Sequence, residues 1–140
     1  MKFKPKPFIL RILTPENFWV TFHPYIYHPM YVGRDFLDSP DLFNKPIIQH
    51  EKTHYIQQET TGRFLWLFKY FCSRKFRMGQ EIAALIQELK FRSFERRSYY
   101  IMRFAASLAS LDYFWCASFS KALTEIKYQA MLSGVEYPDI

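Results

Sequence analysis

His50 and His54 stand four residues apart in the stretch His50-Glu51-Lys52-Thr53-His54, which has the form HExxH. On a helix this spacing places both imidazoles on one face, one turn apart, where they can bind a single tetrahedral Zn²⁺. Glu51 follows the first histidine and points into the same cleft. Its carboxylate can take a proton from a water that such a metal binds and deliver that proton to a leaving amine. The motif therefore predicts a zinc site with a general base beside it.

The surroundings of the motif resemble a known group of proteins. Residues 47–58 are similar to the small zincin-like proteins of bacteria and their phages, whose pattern is HExxHxxQQ. Residues 63–70 and 77–84 resemble the aromatic spacer and the glutamate-bearing segment of the same group, so the likeness covers roughly residues 21–89. Gly79-Gln80 stands where the group has Pro-Tyr, and Ala83 stands where it has a second glutamate. The resemblance implies a gluzincin-type, zinc-dependent metallopeptidase or a close derivative of one, acting on a peptide or protein.

Zinc needs a third protein ligand, with a fourth position left for water. The resemblance implies that this ligand is Glu81, and a helix packed antiparallel to the motif helix could aim its first turn at the metal. Glu88 lies seven residues further on the same face and is the alternative ligand. Glu59 lies about half a helix circumference away from His50 and is not expected to reach the metal. His23 and His28 fit better as polar residues beside extended aromatic segments. No third histidine follows in the metzincin position, so that class is excluded.

Two further roles stay open at this point. Gln58 lies one turn after His54 and could orient a ligand through a hydrogen bond, or could simply lie on the helix surface. A peptidase also needs a hydrogen-bond donor for the substrate carbonyl oxygen, and Tyr70, Tyr99 and Tyr100 are candidates. The sequence does not choose among them.

The elements that must position these residues follow from the distribution of proline. Seven of the eight prolines fall within residues 1–46, whereas residues 47–134 can be almost entirely helical. With 140 residues, 49% of them hydrophobic and 20% aromatic, the chain fits one domain with a dense core. We therefore expect a single domain over residues 1–140, mainly α (α+β), with a small β-like N-terminal part.

Individual segments can be assigned from local signals. Phe18–His23 and Tyr25–Tyr27 are rich in aromatic and β-branched residues and predict short extended segments, and Ser39-Pro40 predicts the start of a helical turn. Five helices are expected, over the following ranges: about Asn44 or Pro46 to Thr61 with Gly62 as terminator, Arg63 to about Lys75, from near Gly79 onward, about Tyr99 to Leu111, and about Ser118 to Leu132 closed by Gly134. The second of these is apolar on nearly every side and is expected to be buried.

The charge and the aromatic residues of the chain each support an alternative function. The chain carries a net charge of +6, and residues 63–103 contain ten basic against three acidic side chains. Such a patch could contact nucleic acid, but no nucleic-acid motif accompanies it and charged faces are usually only solvated. The other alternative is a non-catalytic structural component of a larger assembly, such as a phage virion, whose aromatic residues form subunit contacts.

The two cysteines and the longest apolar stretches predict the cellular compartment of the protein. Cys72 and Cys116 both lie in apolar stretches and predict buried thiols in a reducing compartment. The N-terminal apolar run is interrupted by Arg11 before a signal sequence develops, and the run over residues 99–119 contains Arg103 and Asp112. An intracellular protein, virion-associated in the assembly alternative, without a spanning segment or a membrane partner, is expected.

Overall fold

The chain forms a mainly α (α+β) fold in which a small sheet is followed by a helical layer. The structure, a computed structural model, describes residues 1–139. In chain order the described elements are β1 (Lys2–Pro5), α1 (Phe8–Leu13), β2 (Val20–Phe22), β3 (Tyr25–His28), α2 (Arg34–Leu37), a 3-10 turn (Leu42–Asn44), α3 (Pro46–Thr61), α4 (Arg63–Cys72), α5 (Arg74–Lys90), α6 (Phe94–Leu108), a second 3-10 turn (Leu111–Tyr113) and α7 (Phe119–Leu132).

The three strands form one sheet with β3 in the middle and β1 and β2 at its edges. β1 runs parallel to β3, with Lys2 opposite Tyr25, and β2 runs antiparallel to β3, with Val20 opposite Tyr27. Ile26 in the central strand is fully buried. Because β2 is an edge strand, the side of it that faces away from β3 is free to receive another element, and α3 packs there.

The core lies between the last three helices. Its fully buried side chains include Leu85 and Leu89 of α5, Ile101 and Leu108 of α6, and Ile126 of α7. Helix α3 packs on one side against α5 and on the other against β2. The motif helix is therefore enclosed between the helical layer and the sheet.

Several expected helices are confirmed. The motif helix runs over Pro46–Thr61 and ends at Gly62, which adopts a φ of 85°. The last helix begins after Ser118, whose side chain accepts a hydrogen bond from the backbone N–H of Lys121, and a left-handed Gly134 follows it. Helix α5 begins at Arg74, earlier than expected, because Ser73 caps it by accepting a hydrogen bond from the backbone N–H of Phe76.

Some other predicted elements have different bounds in the structure, and two helices were not predicted. The fourth expected helix begins earlier, since α6 occupies Phe94–Leu108. The turn expected at Ser39-Pro40 is present, because the backbone N–H of Leu42 donates to the backbone oxygen of Ser39 at 3.0 Å, and the 3-10 turn Leu42–Asn44 follows it. Helices α1 and α2 lie within the proline-rich part and were not anticipated.

The prediction that α4 is buried is wrong. Among its apolar residues only Trp66 is buried, because α4 packs through one face against α3 and α5. The outer face is exposed to solvent, at 69% for Phe64, 66% for Phe68 and 62% for Phe71. Cys72, at the end of this helix, is exposed as well, so the expectation of a buried thiol holds only for Cys116.

Within residues 1–139, none of the helices is both long and apolar enough to cross a bilayer.

Gly62 and Gly79 differ in backbone conformation, so replacing each with alanine should affect stability in opposite ways. Gly62 has a φ of 85°, which L side chains rarely adopt, whereas Gly79 lies inside α5 with open space where a Cβ would be. We expect Gly62→Ala to lower the free energy of unfolding by about 1–2 kcal/mol. Gly79→Ala should raise it by about 0.5–1 kcal/mol because alanine is the better helix former. Urea unfolding measures both, and effects of the same sign would contradict this assignment.

Candidate metal centre

The two histidines of the motif meet a carboxylate from the neighbouring helix. His50 and His54 of α3 are buried, and their Nε2 atoms lie 3.2 Å apart. Glu81, buried on α5, places Oε2 at 3.6 Å from Nε2 of His50 and Oε1 at 3.5 Å from Nε2 of His54. These three side chains form a group whose potential ligand atoms all lie within 4.8 Å of one another.

The spacing of these atoms fits a tetrahedral metal. With metal–ligand bonds of about 2.0–2.2 Å, two ligand atoms of a tetrahedral zinc lie about 3.3–3.6 Å apart. The 3.2 Å between the two Nε2 atoms is close to that edge length, and each Nε2 has a different oxygen of Glu81 at 3.5–3.6 Å. In addition, Oε2 of Glu81 is buried and has no hydrogen-bond partner among the described residues. A buried carboxylate oxygen without a partner is costly, and a cation between the three groups would satisfy it.

The remaining ring nitrogens are bound from outside the cluster. Nδ1 of His50 lies 3.1 Å from Oε2 of Glu88, and Nδ1 of His54 lies 2.9 Å from Oε1 of Gln57. Carboxylate and amide oxygens accept hydrogen bonds, so each Nδ1 is the protonated donor, which leaves Nε2 as the nitrogen that would bind a metal. Gln57 is itself fixed, since its amide donates to the backbone oxygen of Gln80 at 3.2 Å. Both imidazoles therefore present the same type of ligand atom to the centre.

Glu88, the alternative third ligand, lies behind His50 rather than beside the two Nε2 atoms. Its second oxygen accepts hydrogen bonds from Arg92 at 2.6 and 3.2 Å. Arg92 also donates to the hydroxyl of Tyr100 at 2.9 Å. The structure thus brings Glu81 to the cluster and gives Glu88 the place of an outer acceptor for His50.

Glu51 lies buried beside the two imidazoles. Thr21 of β2 donates through its hydroxyl to Oε2 of Glu51 at 2.7 Å and contacts the backbone oxygen of Glu51 at 3.2 Å. The charge of Glu51 contributes to raising the pKa of both His50 and His54, after the larger effects described below. Its carboxylate is therefore held close to the cluster without belonging to the three-ligand group.

Gln58 does not contact the imidazoles. Its side chain is buried, its amide donates to the backbone oxygen of Thr21 at 2.8 Å, and its Oε1 accepts from the backbone N–H of His23 at 2.9 Å. These two bonds satisfy backbone groups of the β2 edge and fix α3 against the sheet. The glutamine that orients an imidazole is the preceding residue, Gln57.

The three tyrosines considered as donors occupy different places. Tyr70 donates its hydroxyl to Oε1 of Glu81 at 2.5 Å. Burial and the charge of Glu81 raise the pKa of Tyr70 well above its usual value, so it stays protonated. Tyr100 binds Arg92 as described, and Tyr99 is exposed to solvent.

Sequence reasoning missed Tyr113, which lies in the 3-10 turn after α6. Its ring packs against Phe104 at 5.7 Å between centroids, and Phe104 packs against His50 at 5.8 Å. Burial, and then the charges of Glu81, Glu51 and Glu88, raise the pKa of Tyr113 well above its usual value. Its backbone oxygen accepts from Nε of Arg77 at 3.0 Å. No spacing rule links this turn to the motif, whereas Gln57 could have been found from its distance of three residues to His54.

The other candidates lie elsewhere. The ring of His23 packs on Tyr55 at 4.5 Å, and Nδ1 of His28 lies 2.9 Å from the backbone oxygen of Pro29. Glu59 is exposed on the outer side of α3. As expected, none of these three side chains joins the cluster.

Without metal, the cluster is held together by charge. Burial disfavours a charged His50, but the Glu81 carboxylate 3.6 Å away and the hydrogen bond to Glu88 outweigh burial and raise the pKa of His50 to about 10. Burial likewise opposes the charged form of Glu81, but the charge of His54 and the close approach of both imidazoles hold its pKa well below its usual value. A divalent cation would take the place of the imidazolium proton.

Comparisons with protein-family models, with curated proteins and with solved structures find no match for this chain. The chemistry of the centre must therefore be inferred from its own residues.

The stability of the metal-free protein should depend on pH in a defined way. The contribution of charged His50 is fully present below its unfolded pKa of 6.5 and is lost as the pH rises towards about 10. The contribution of ionised Glu81 and Glu88 is present above pH 4.5 and is lost as the pH falls below that value. Thermal unfolding in chelator should thus show its highest midpoint between pH 4.5 and 6.5. Zinc-saturated protein should lack the alkaline decline, and a metal-free midpoint that rises above pH 6.5 would contradict the charge pairing.

Zinc affinity should separate the roles of the two glutamates. We expect one zinc per chain by elemental analysis. Removal of a direct ligand in Glu81→Gln should weaken zinc binding by more than about 10²-fold, whereas loss of the outer acceptor in Glu88→Gln should weaken it about 10–100-fold. Chelator competition measures both, with Glu59→Gln on the exposed side of α3 as the control. A larger loss in Glu88→Gln than in Glu81→Gln would reverse the assignment.

Proposed function

We propose that this protein is a zinc-dependent metallopeptidase of the HExxH type. The observation that carries the proposal is the convergence of Nε2 of His50, Nε2 of His54 and the Glu81 carboxylate, whose nearest atoms lie 3.2–3.6 Å apart. Glu51, held beside them by Thr21, provides the adjacent base that hydrolysis needs. The resemblance of residues 47–58 to small zincin-like proteins supports the same reaction class.

The donor set favours zinc. Two imidazoles and one carboxylate are the ligands of catalytic zinc sites, which keep one position open, whereas structural zinc sites are closed by four protein ligands. His50, His54 and Glu81 would hold the ion. When bound, zinc supplies Lewis-acid polarisation of the substrate carbonyl and makes water more acidic.

Glu51 carries the proton transfers in this proposal. It follows His50 directly on α3, and the hydroxyl of Thr21 fixes Oε2 at 2.7 Å. The carboxylate takes a proton from the attacking water and delivers it to the leaving amine, so it returns to its starting state at the end of the cycle.

Tyr113 provides a donor for the substrate carbonyl oxygen. Its raised pKa keeps the hydroxyl protonated next to the carboxylates of Glu81, Glu51 and Glu88. Tyr70 is the other candidate, since its hydroxyl donates to Glu81 at 2.5 Å. Burial and the charge of Glu81 raise the pKa of both tyrosines, so both hydroxyls stay protonated and are candidate donors.

A second function, a structural component of a larger assembly, is favoured by the burial of all three ligands and by the exposed aromatic face of α4. Nucleic-acid binding has less support. Within the basic stretch, Arg77 is buried, Arg92 is paired with Glu88, and Arg97 donates to the backbone oxygen of Glu136 at 2.8 Å. Three of its ten cations are thus used inside the fold.

Replacement of the base separates catalysis from metal binding. Glu51→Gln should keep its zinc and lower the rate of peptide hydrolysis by about 10²–10⁴-fold, because the amide cannot accept the proton. Cleavage of a mixed peptide library by zinc-loaded protein, followed by mass spectrometry, measures the rate, and Glu59→Gln on the same helix is the matched control.

Two results would overturn the proposal. Unchanged hydrolysis in Glu51→Gln would remove the base assignment. A wild-type chain that binds zinc fully and cleaves no peptide would favour the structural component instead.

A further inference from the structure

Helix α4 presents an exposed apolar surface whose function the metal centre does not explain. Phe64, Phe68 and Phe71 recur at i, i+4 and i+7 and so share one face, and Leu65, 50% exposed, adjoins them. We call these four residues the α4 outer surface. Phe71 contacts Phe114 at 6.3 Å between ring centroids, and Phe114 is itself half exposed. The apolar surface therefore continues from the helix onto the segment after α6.

The charged residues in and directly beside α4 in the sequence have a single sign. Residues 60–80 contain five cations and no carboxylate. Arg77 is buried, whereas Arg63, Lys69, Arg74 and Lys75 are exposed. Arg63 lies over the ring of Phe64 at 4.8 Å from its centroid. None of the four exposed cations forms an ion pair with a carboxylate of residues 1–139. Their charge is therefore available to an external anion.

The apolar surface and the exposed cations together favour one kind of binding partner over the others. A second copy of the chain would bring the same four cations against one another, which costs free energy. Spanning a bilayer requires about 20 apolar residues, and α4 has only 10 residues in all, two of them charged. A short helix with phenylalanine and leucine on one face and Lys or Arg beside them suits the interface of an anionic bilayer, where the rings enter the headgroup region and the cations meet phosphates.

We propose that the α4 outer surface docks this protein onto an anionic membrane surface. The expectation of no membrane partner rested on the lack of a spanning segment, which interfacial contact does not need. The inner face of the same helix contacts the metal centre, since Trp66 packs on His54 at 5.8 Å and Tyr70 binds Glu81. Docking therefore places the centre one helix away from the lipid, but it is independent of peptide hydrolysis.

The experiment is co-sedimentation of the full chain with vesicles of phosphatidylcholine, with and without phosphatidylglycerol. We expect binding to the anionic vesicles that weakens as salt is added. The double change Leu65→Glu with Phe68→Glu should lower the partition coefficient at least about tenfold, because both apolar area and favourable charge are lost. The matched control, Met131→Glu with Leu132→Glu on the exposed side of α7, should leave it unchanged.

The cations are tested separately. Lys69→Gln and Lys75→Gln should each lower the partition coefficient about fivefold. Zinc-loaded wild type and zinc-loaded Glu51→Gln should bind vesicles equally, so failure of the peptidase proposal leaves this result unaffected. Far-UV circular dichroism confirms that each variant is folded.

Three results would overturn the proposal. They are equal sedimentation with neutral and anionic vesicles, equal losses in the α4 and α7 double variants, and a concentration-dependent dimer that the α4 change abolishes. The last result would make this surface an interface between copies of the chain.

Discussion

The fold depends on the need to satisfy four polar side chains that α3 carries through the interior. His50, Glu51, His54 and Gln58 are all buried, and each would cost free energy without a partner. Glu51 and Gln58 find theirs on the β2 edge, and His50 reaches α5. A shift of α3 by one residue would turn these groups away from both neighbours. These four buried polar side chains therefore fix the position of α3 along its axis between the sheet and the helical layer. Hydrophobic burial alone would allow α3 to slide.

The same contacts set the charge balance of the centre. Arg92 pairs with Glu88, so that carboxylate is neutralised outside the cluster. Glu51 and Glu81 remain close to the imidazoles, and their two negative charges match one divalent cation. Neutral imidazoles complete a site that could bind such an ion without leaving net charge in a buried space. In its absence, protonated His50 supplies part of the missing positive charge.

Local spacing made part of this arrangement predictable. The i, i+4 pair of His50 and His54 and the termination at Gly62 depend only on helix geometry, and both were expected from the sequence. Glu81 came from a resemblance and could not be distinguished from Glu88 by spacing, since both lie on one face of α5. The partners of Gln58 and the approach of Tyr113 depend on how distant segments pack, and no local pattern encodes that. Tertiary contacts decide such roles.

Helix α4 shows why its apolar sequence led to the wrong prediction that the whole helix is buried. Its inner face carries Trp66, stacked on Tyr70 at 4.6 Å, and these rings pack against the candidate metal centre. Its outer face is as apolar as a core helix, yet no other element covers it within residues 1–139. The ten residues of α4 thus separate the candidate ligands from solvent on this side. Because Tyr70 binds Glu81 directly, any partner that displaces α4 alters the hydrogen bond on this candidate ligand. The side chain of Tyr70 therefore links the helix that carries the α4 outer surface to the buried candidate metal centre.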